Sequence, residues 1–93
     1  MKLAVYSLTR DRLADTRKAF AGLREMAGME FDHFVLDNGS EDGTQAWLRQ
    51  QSFAKLVLSP DNKGQCIASN IILDKIRPGG YDFILRYDND IVP

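Results

Sequence analysis

Short, nearly continuous apolar runs alternate with stretches whose apolar residues recur at three- and four-residue spacing, and this alternation persists through all 93 residues. Two periods so interleaved leave few folds open. Lys2 to Leu8 is an apolar run of the kind found in strands covered on both faces. Leu13, Thr16 or Arg17, Phe20, Leu23 and Ala27 then trace a helical stripe, opened by Thr9 or Asp11 as cap and ended by Gly28. Phe31 to Leu36 reads as a second strand, Thr44 to Gln51 as a short helix with Trp47 and Leu48 on its apolar side, and Ala54 to Leu58 as a third strand. Gln65 to Ile76 reads as a helix, with Ile67 or Ala68, Ile71, Ile72, Lys75 and Ile76 at helical spacing, stopped by Arg77-Pro78-Gly79-Gly80. Tyr81, Phe83, Ile84, Leu85 and Tyr87 give a fourth strand with the aromatic and branched content of a buried one. The order βαβαβαβ predicts an α/β, Rossmann-like, mostly parallel sheet, strand order 3-2-1-4, with right-handed crossovers and helices on both faces.

That topology carries a functional consequence. The polar loops at 9–12, 37–44, 59–64 and 88–90 each follow a strand, so all four are expected on one edge of the sheet, where open α/β folds bind ligands. The last of them, Asp88-Asn89-Asp90, delivers two carboxylates one residue apart. Close carboxylates repel, and a divalent cation such as magnesium or manganese relieves the repulsion through hard oxygen ligands. A solvated acidic turn is the plainer reading of the same three residues. Asp37 after the second strand is suited to a base or ribose hydroxyl; a simple turn, with Asp42 or Ser40 capping the next helix, competes with that reading. A calcium loop fits less well, because Asp42 occupies the place where an EF-hand needs glycine.

Composition removes several classes. With 44% hydrophobic and 27% charged residues the chain is an ordinary globular domain or part of one, and a net charge of −1 gives no electrostatic basis for binding nucleic acid or anionic membrane. One cysteine, Cys66, excludes an internal disulfide and fits a reducing compartment; in a helix start it is expected to pack as a small residue. No apolar run approaches a membrane span, and the amino-terminal run is too short for a signal sequence, so the expected address is cytoplasmic, or the cytoplasmic face of a membrane where a partner carries an anchor. The loop after the first strand, Leu8-Thr9-Arg10-Asp11, lacks Gly-x-Gly-x-x-Gly and the Walker lysine loop, which argues against a dinucleotide dehydrogenase and a P-loop NTPase. Arg86 interrupts the fourth strand, either reaching solvent or an acidic neighbour, or meeting an anionic ligand. His33, in a strand beside Phe31 and Phe34, is expected to be structural or at the surface, and Trp47 to be a core anchor.

Four features now stand in one order: Thr9-Arg10; Asp37-Asn38-Gly39-Ser40-Glu41-Asp42-Gly43-Thr44; Asn62-Lys63-Gly64-Gln65-Cys66-Ile67-Ala68-Ser69-Asn70; and Asp88-Asn89-Asp90. Together they resemble the nucleotide-diphospho-sugar-binding half of a GT-A-fold glycosyltransferase of the large family 2 type, over essentially all of residues 1–93. The second loop matches the pattern D-[DN]-G-S-x-D-G-T, the third matches N-x-G-x-x-x-A-x-N at Asn62, Gly64, Ala68 and Asn70, and the fourth is a D-x-D.

The resemblance implies a transferase that moves a sugar from a nucleotide diphosphate sugar, UDP-linked above all, to an acceptor hydroxyl. It implies that Ser7 to Arg10, including Thr9, line the base pocket, and that Asp37 and Asn38 belong to the nucleotide site, Asp37 contacting base or ribose. Gly64 would let backbone approach the nucleotide. Asp88 would reach the ribose or the metal shell, and Asp90 would ligate a divalent metal, Mn or Mg, that stabilises the leaving diphosphate. In full-length members the sheet and the acceptor site continue past the D-x-D, so the general base is expected beyond residue 93 and the chain alone is expected to be inactive, a truncated donor half. The alternatives are a non-catalytic nucleotide- and metal-binding module, and an α/β domain whose loops match by chance. The fourth strand is expected to be an exposed edge, inviting self-association.

Overall fold

The computed structural model of the protein describes residues 2–26, 30–51 and 54–87. Its elements are β1 (Leu3–Thr9), α1 (Leu13–Met26), β2 (Asp32–Asn38), α2 (Thr44–Arg49), β3 (Ala54–Ser59), α3 (Gln65–Ile76), a 3-10 turn (Arg77–Gly79) and β4 (Phe83–Arg86). The four strands form one sheet in the order β3-β2-β1-β4, every pairing parallel. This is the α/β, Rossmann-like fold expected from the alternation. Ala27 and Gly28, the expected end of α1, lie outside the described residues.

Strand alternation splits the core into two layers. On one face Ala4 and Leu8 of β1 and Phe34 and Leu36 of β2 pack on Ala68, Ile72 and Ile76 of α3. These three helical residues stand four apart, a single stripe along the helix. The stripe passes over Ile67, which is 56% exposed, and over Cys66, which is exposed; neither packs in the core as the sequence suggested for Cys66. On the other face Val35 of β2 meets Ala19 and Phe20 of α1 and Leu48 of α2, with Trp47, Ala54, Leu56, Leu58 and Tyr87 packed around them. The α1 stripe is carried by the buried Thr16, Ala19, Phe20 and Leu23, while Arg17 is exposed.

Two differences from the sequence reading concern strand ends and edges. β1, β2 and β3 run one or two residues further than the apolar runs, taking in Thr9, Asp37, Asn38 and Ser59. These polar residues stay in the ladder because their side chains find partners on neighbouring strands and loops, which removes the penalty of burial. β4 is shorter than the apolar run, and all four of its residues are exposed. As the edge strand it pairs with β1 alone among the described residues. The aromatic and branched content of the run therefore does not signal burial here.

Candidate functional site at the carboxyl edge of the sheet

Parallel pairing brings the carboxyl ends of β1, β2 and β3 side by side, with Thr9 opposite Asp37 and Asn38 opposite Ser59. Asp37 is fully buried and organises this edge. Its Oδ1 accepts from the Thr9 hydroxyl at 2.7 Å and the Ser40 hydroxyl at 2.6 Å. Its Oδ2 accepts from the Ser40 amide at 2.8 Å and from Nε2 of Gln45 at 2.8 Å. Gln45 Nε2 also reaches the Ser59 carbonyl at 2.8 Å, so one amide group ties β2 to β3. Both carboxylate oxygens are thus engaged by the protein's own donors, which is how a buried carboxylate is accommodated. In this arrangement a ligand group reaches Asp37 only by displacing one of them.

The loops after β1 and β2 are stitched across. The Asp11 amide donates to the Ser40 hydroxyl at 2.6 Å, and the Glu41 amide returns a bond to Asp11 Oδ1 at 2.7 Å. Asp42 serves two helix starts at once. Its Oδ2 accepts from the Leu13 amide at 3.0 Å, at the head of α1, and its Oδ1 accepts from the Thr44 amide at 3.0 Å and the Thr44 hydroxyl at 2.5 Å, at the head of α2. The Thr44 hydroxyl above all, together with the Leu13 and Thr44 amides, holds the Asp42 carboxyl below its ordinary value. Asp11 and Arg12 both adopt left-handed backbone, φ 53° and 57°. Two consecutive non-glycine residues in that region are strained, and the cross-loop bonds are what hold them there. The cap expected from Thr9 or Asp11 is supplied instead by Asp42, from 29 residues away.

Asn38 ties the second loop to the third. Its Oδ1 accepts from the Lys63 amide at 2.7 Å, and its Nδ2 lies 3.5 Å from the Gly64 carbonyl. Gly39 lets the two loops touch: at φ +80°, a Cβ there would stand 2.6 Å from the Asp61 carbonyl carbon. Gly64, at φ +79°, has nothing within 4 Å of the position a Cβ would take, so its backbone lies open at the head of α3. No side chain caps that helix.

Ser7, Thr9 and Arg10 separate in depth. Ser7 and Thr9 are buried, whereas Arg10 is exposed at the loop. The Ser7 hydroxyl donates to the Tyr87 carbonyl and lies 2.9 Å from Nε2 of His33. With its one proton committed to Tyr87, Ser7 accepts from a protonated Nε2, which fixes the tautomer of a neutral imidazole. His33 is 1% exposed and packs edge-to-face on Phe20. Burial, reinforced by the nearby Arg24 guanidinium, pushes its pKa down to about 3. His33 is structural, as the sequence suggested.

On the α3 face, Arg86 lines an open groove of about 460 Å³ with Gln65, Cys66, Ser69 and Asn70. Asp88 and Asp90, the expected metal ligands, lie outside the described residues. Among the described residues no group of three or more His, Cys, Asp or Glu side chains is placed to hold a metal ion. Of the residues singled out in the sequence, the structure brings Thr9, Asp37, Asn38 and Gly64 to one edge. Ser40, Asp42 and Gln45 emerge as its supports. The short Asp37–Ser40 spacing signals a local side-chain turn; nothing in the sequence marks Gln45.

No protein-family model matches the sequence, and no curated protein matches it. Among solved structures, the chain superposes on the mannosyltransferase PcManGT from Pyrobaculum calidifontis, determined in complex with GDP-Man and Mn2+. The TM-score is 0.81 at 18% sequence identity, and the match covers 98% of this chain. The chain spans 28% of the length of that mannosyltransferase and shares its fold over the matched part.

Proposed function

We propose that the chain is the donor-binding part of a metal-dependent glycosyltransferase of GT-A fold and family 2 type, holding a nucleoside diphosphate sugar at the carboxyl edge of its sheet. The observation that carries the proposal is the joined rim of loops after β1, β2 and β3, on a fold shared with a transferase solved with a nucleotide sugar and manganese. Arg10 and the head of α3, which no side chain caps, present cationic and amide donors to an anionic ligand. Asp37 serves the site through its bonds to Thr9 and Ser40, shaping the base and ribose side of the pocket. Asn38 holds Gly64 and Lys63 in place for the diphosphate side.

In the sequence Asp88 and Asp90 follow the end of β4 by two and four residues, and β4 pairs with β1 in parallel. Two carboxylates at this spacing suit a hard divalent cation, Mn or Mg. A metal held by Asp88 and Asp90 would supply Lewis-acid stabilisation of the diphosphate leaving group. Binding of the donor is the part of the transfer that these residues account for.

Calorimetric titration of UDP and GDP, with manganese and then with EDTA, tests the proposal. Asp90→Ala is expected to abolish the metal-dependent binding. Asp37→Ala, which loses a charge-assisted hydrogen bond, is expected to cost about 1.5–3 kcal/mol, roughly ten- to a hundredfold in affinity, with or without metal. Equal binding by Asp90→Ala and the parent chain contradicts the metal role and leaves residues 88–90 an acidic turn.

A further inference from the structure

Three strands meet at Ser7. It lies in β1, with β2 on one side and β4 on the other, and it is fully buried. Its hydroxyl accepts from Nε2 of His33 in β2 at 2.9 Å and donates to the carbonyl of Tyr87, one residue past the end of β4. The pairing of β4 with β1 ends at Tyr6 and Arg86. The Tyr87 amide then reaches the Tyr6 carbonyl at 2.9 Å, and its ring packs against Ala19, Phe20, Val35 and Leu48. Amide, carbonyl and ring of Tyr87 are thus each held, the carbonyl by a side chain. His33 is fixed in turn, 1% exposed and edge-to-face on Phe20 at a centroid distance of 4.6 Å.

Packing alone does not call for these two polar residues. An apolar pair would fill the same place without the cost of burying an imidazole and a hydroxyl. What the hydroxyl adds is direction, because a hydrogen bond weakens steeply off its line. The Tyr87 carbonyl belongs to the peptide unit that leads into Asp88, and a peptide unit is planar. A bond that fixes this carbonyl fixes the direction in which the chain leaves Tyr87, immediately before Asp88-Asn89-Asp90 in the sequence.

We infer that Ser7 and His33 are positioning residues for the cation side of the donor site. Ser7 aims the exit from β4, His33 holds the Ser7 hydroxyl in the orientation that does so, and neither touches the nucleotide. The inference rests on the donor-site reading above, in which Asp88 and Asp90 hold the cation. It gives Ser7 a different part from the base-pocket lining that the resemblance implies, because a hydroxyl with no exposed surface has none to offer a base. Thr9, two residues on in β1, spends its hydroxyl in the opposite direction, on Asp37 of β2. The cation side and the base side of the edge therefore hang on separate buried bonds, Ser7 to Tyr87 and Thr9 to Asp37.

Titration of UDP and GDP, with manganese and then with EDTA, separates the two sides. In Ser7→Ala the ratio of the two affinities is expected to fall on the order of tenfold, while the value in EDTA stays at that of the parent chain. His33→Leu is expected to lower the ratio less, and His33→Gln, which keeps an N–H donor, to restore it. Thr9→Val is expected to weaken both affinities together and leave the ratio alone. A Ser7→Ala chain weakened equally in both conditions would make Ser7 a nucleotide contact, and one less stable to heat with an unchanged ratio would make it a structural residue; either result overturns the inference. A second reading needs no ligand. In nitrogen-15 correlation spectra, Ser7→Ala is expected to shift the amides of residues 88–90 more than those of 37–44. Should the parent chain show no manganese-dependent binding, the donor-site reading fails and the spectra alone decide the positioning role: shifts larger at 37–44 than at 88–90, or none at 88–90, overturn it.

Discussion

β2 and β4 flank the same central strand, and they could hardly differ more. In β2 every residue from His33 to Asn38 is buried, three of them polar and held by bonds to neighbouring strands and loops. In β4 every residue is exposed, though three of the four are large and apolar. Side-chain type alone would have ranked them the other way at their carboxyl ends. Position in the sheet decides. β2 has a strand on each side and a helix layer over each face, so even a carboxylate can be buried there once its donors are assembled. β4 has one neighbour, and its apolar content is unspent by the described residues. The first region is built to hold a site rigidly; the second is built to be covered.

Mutation sharpens the contrast. Leu36→Ala, at a fully buried position, is expected to cost about 2–5 kcal/mol of stability in urea titrations. Leu85→Ala, half exposed on β4, is expected to stay within about 0.5 kcal/mol when measured on monomer at high dilution. Similar losses at the two positions would erase the distinction.

The polar end of β2 should be nearly as sensitive as its core. Asp37→Ala removes the shared acceptor of Thr9, Ser40 and Gln45 and is expected to cost about 3 kcal/mol, because several donors lose a charged partner together. It should also weaken nucleotide binding with or without metal. Asp37→Asn, which keeps an acceptor oxygen, should recover part of both. A neutral effect of Asp37→Ala on unfolding would show that the four bonds do not hold the edge together.

Next in size is a pH effect centred on His33. Its folded pKa is depressed to about 3 from an ordinary 6.5, so below 6.5 the unfolded chain binds a proton that the folded chain does not. Stability is then fully present above 6.5 and falls as the pH drops, by about 1.4 kcal/mol per unit, until the folded pKa is reached. Between pH 7.5 and 5.0 the loss is about 2 kcal/mol, and His33→Gln should flatten it. An unchanged slope in that variant would assign the effect to other groups.

The element order, the parallel sheet and the strand order were legible in the sequence because they rest on period. Runs of two-fold and 3.6-fold repetition are local, and the crossover rule turns their order into topology. α3 was read to the residue, from Gln65 to Ile76, since its Ala68, Ile72 and Ile76 stripe is regular. What the sequence hid is long-range. Thr9 and Asp37 looked like loop residues because their partner lies 28 residues away, and Asp42 looked like the cap of one helix because its bond to Leu13 spans 29. Cys66 looked like packing, and β4 looked like a buried strand, because exposure at an edge depends on what lies beside it in space.

The central claim is that the carboxyl edge of the sheet binds a nucleoside diphosphate sugar through a divalent cation. Bound manganese broadens amide signals within its reach, so nitrogen-15 correlation spectra of the chain with UDP or GDP and trace Mn2+ test it most directly. The account predicts that the amides of residues 9–12, 37–44 and 61–66 broaden, that those at the opposite strand ends, Leu3, Asp32 and Ala54, stay sharp, and that the effect is lost in Asp90→Ala. Broadening centred on the opposite ends, or none with nucleotide in excess, would contradict it.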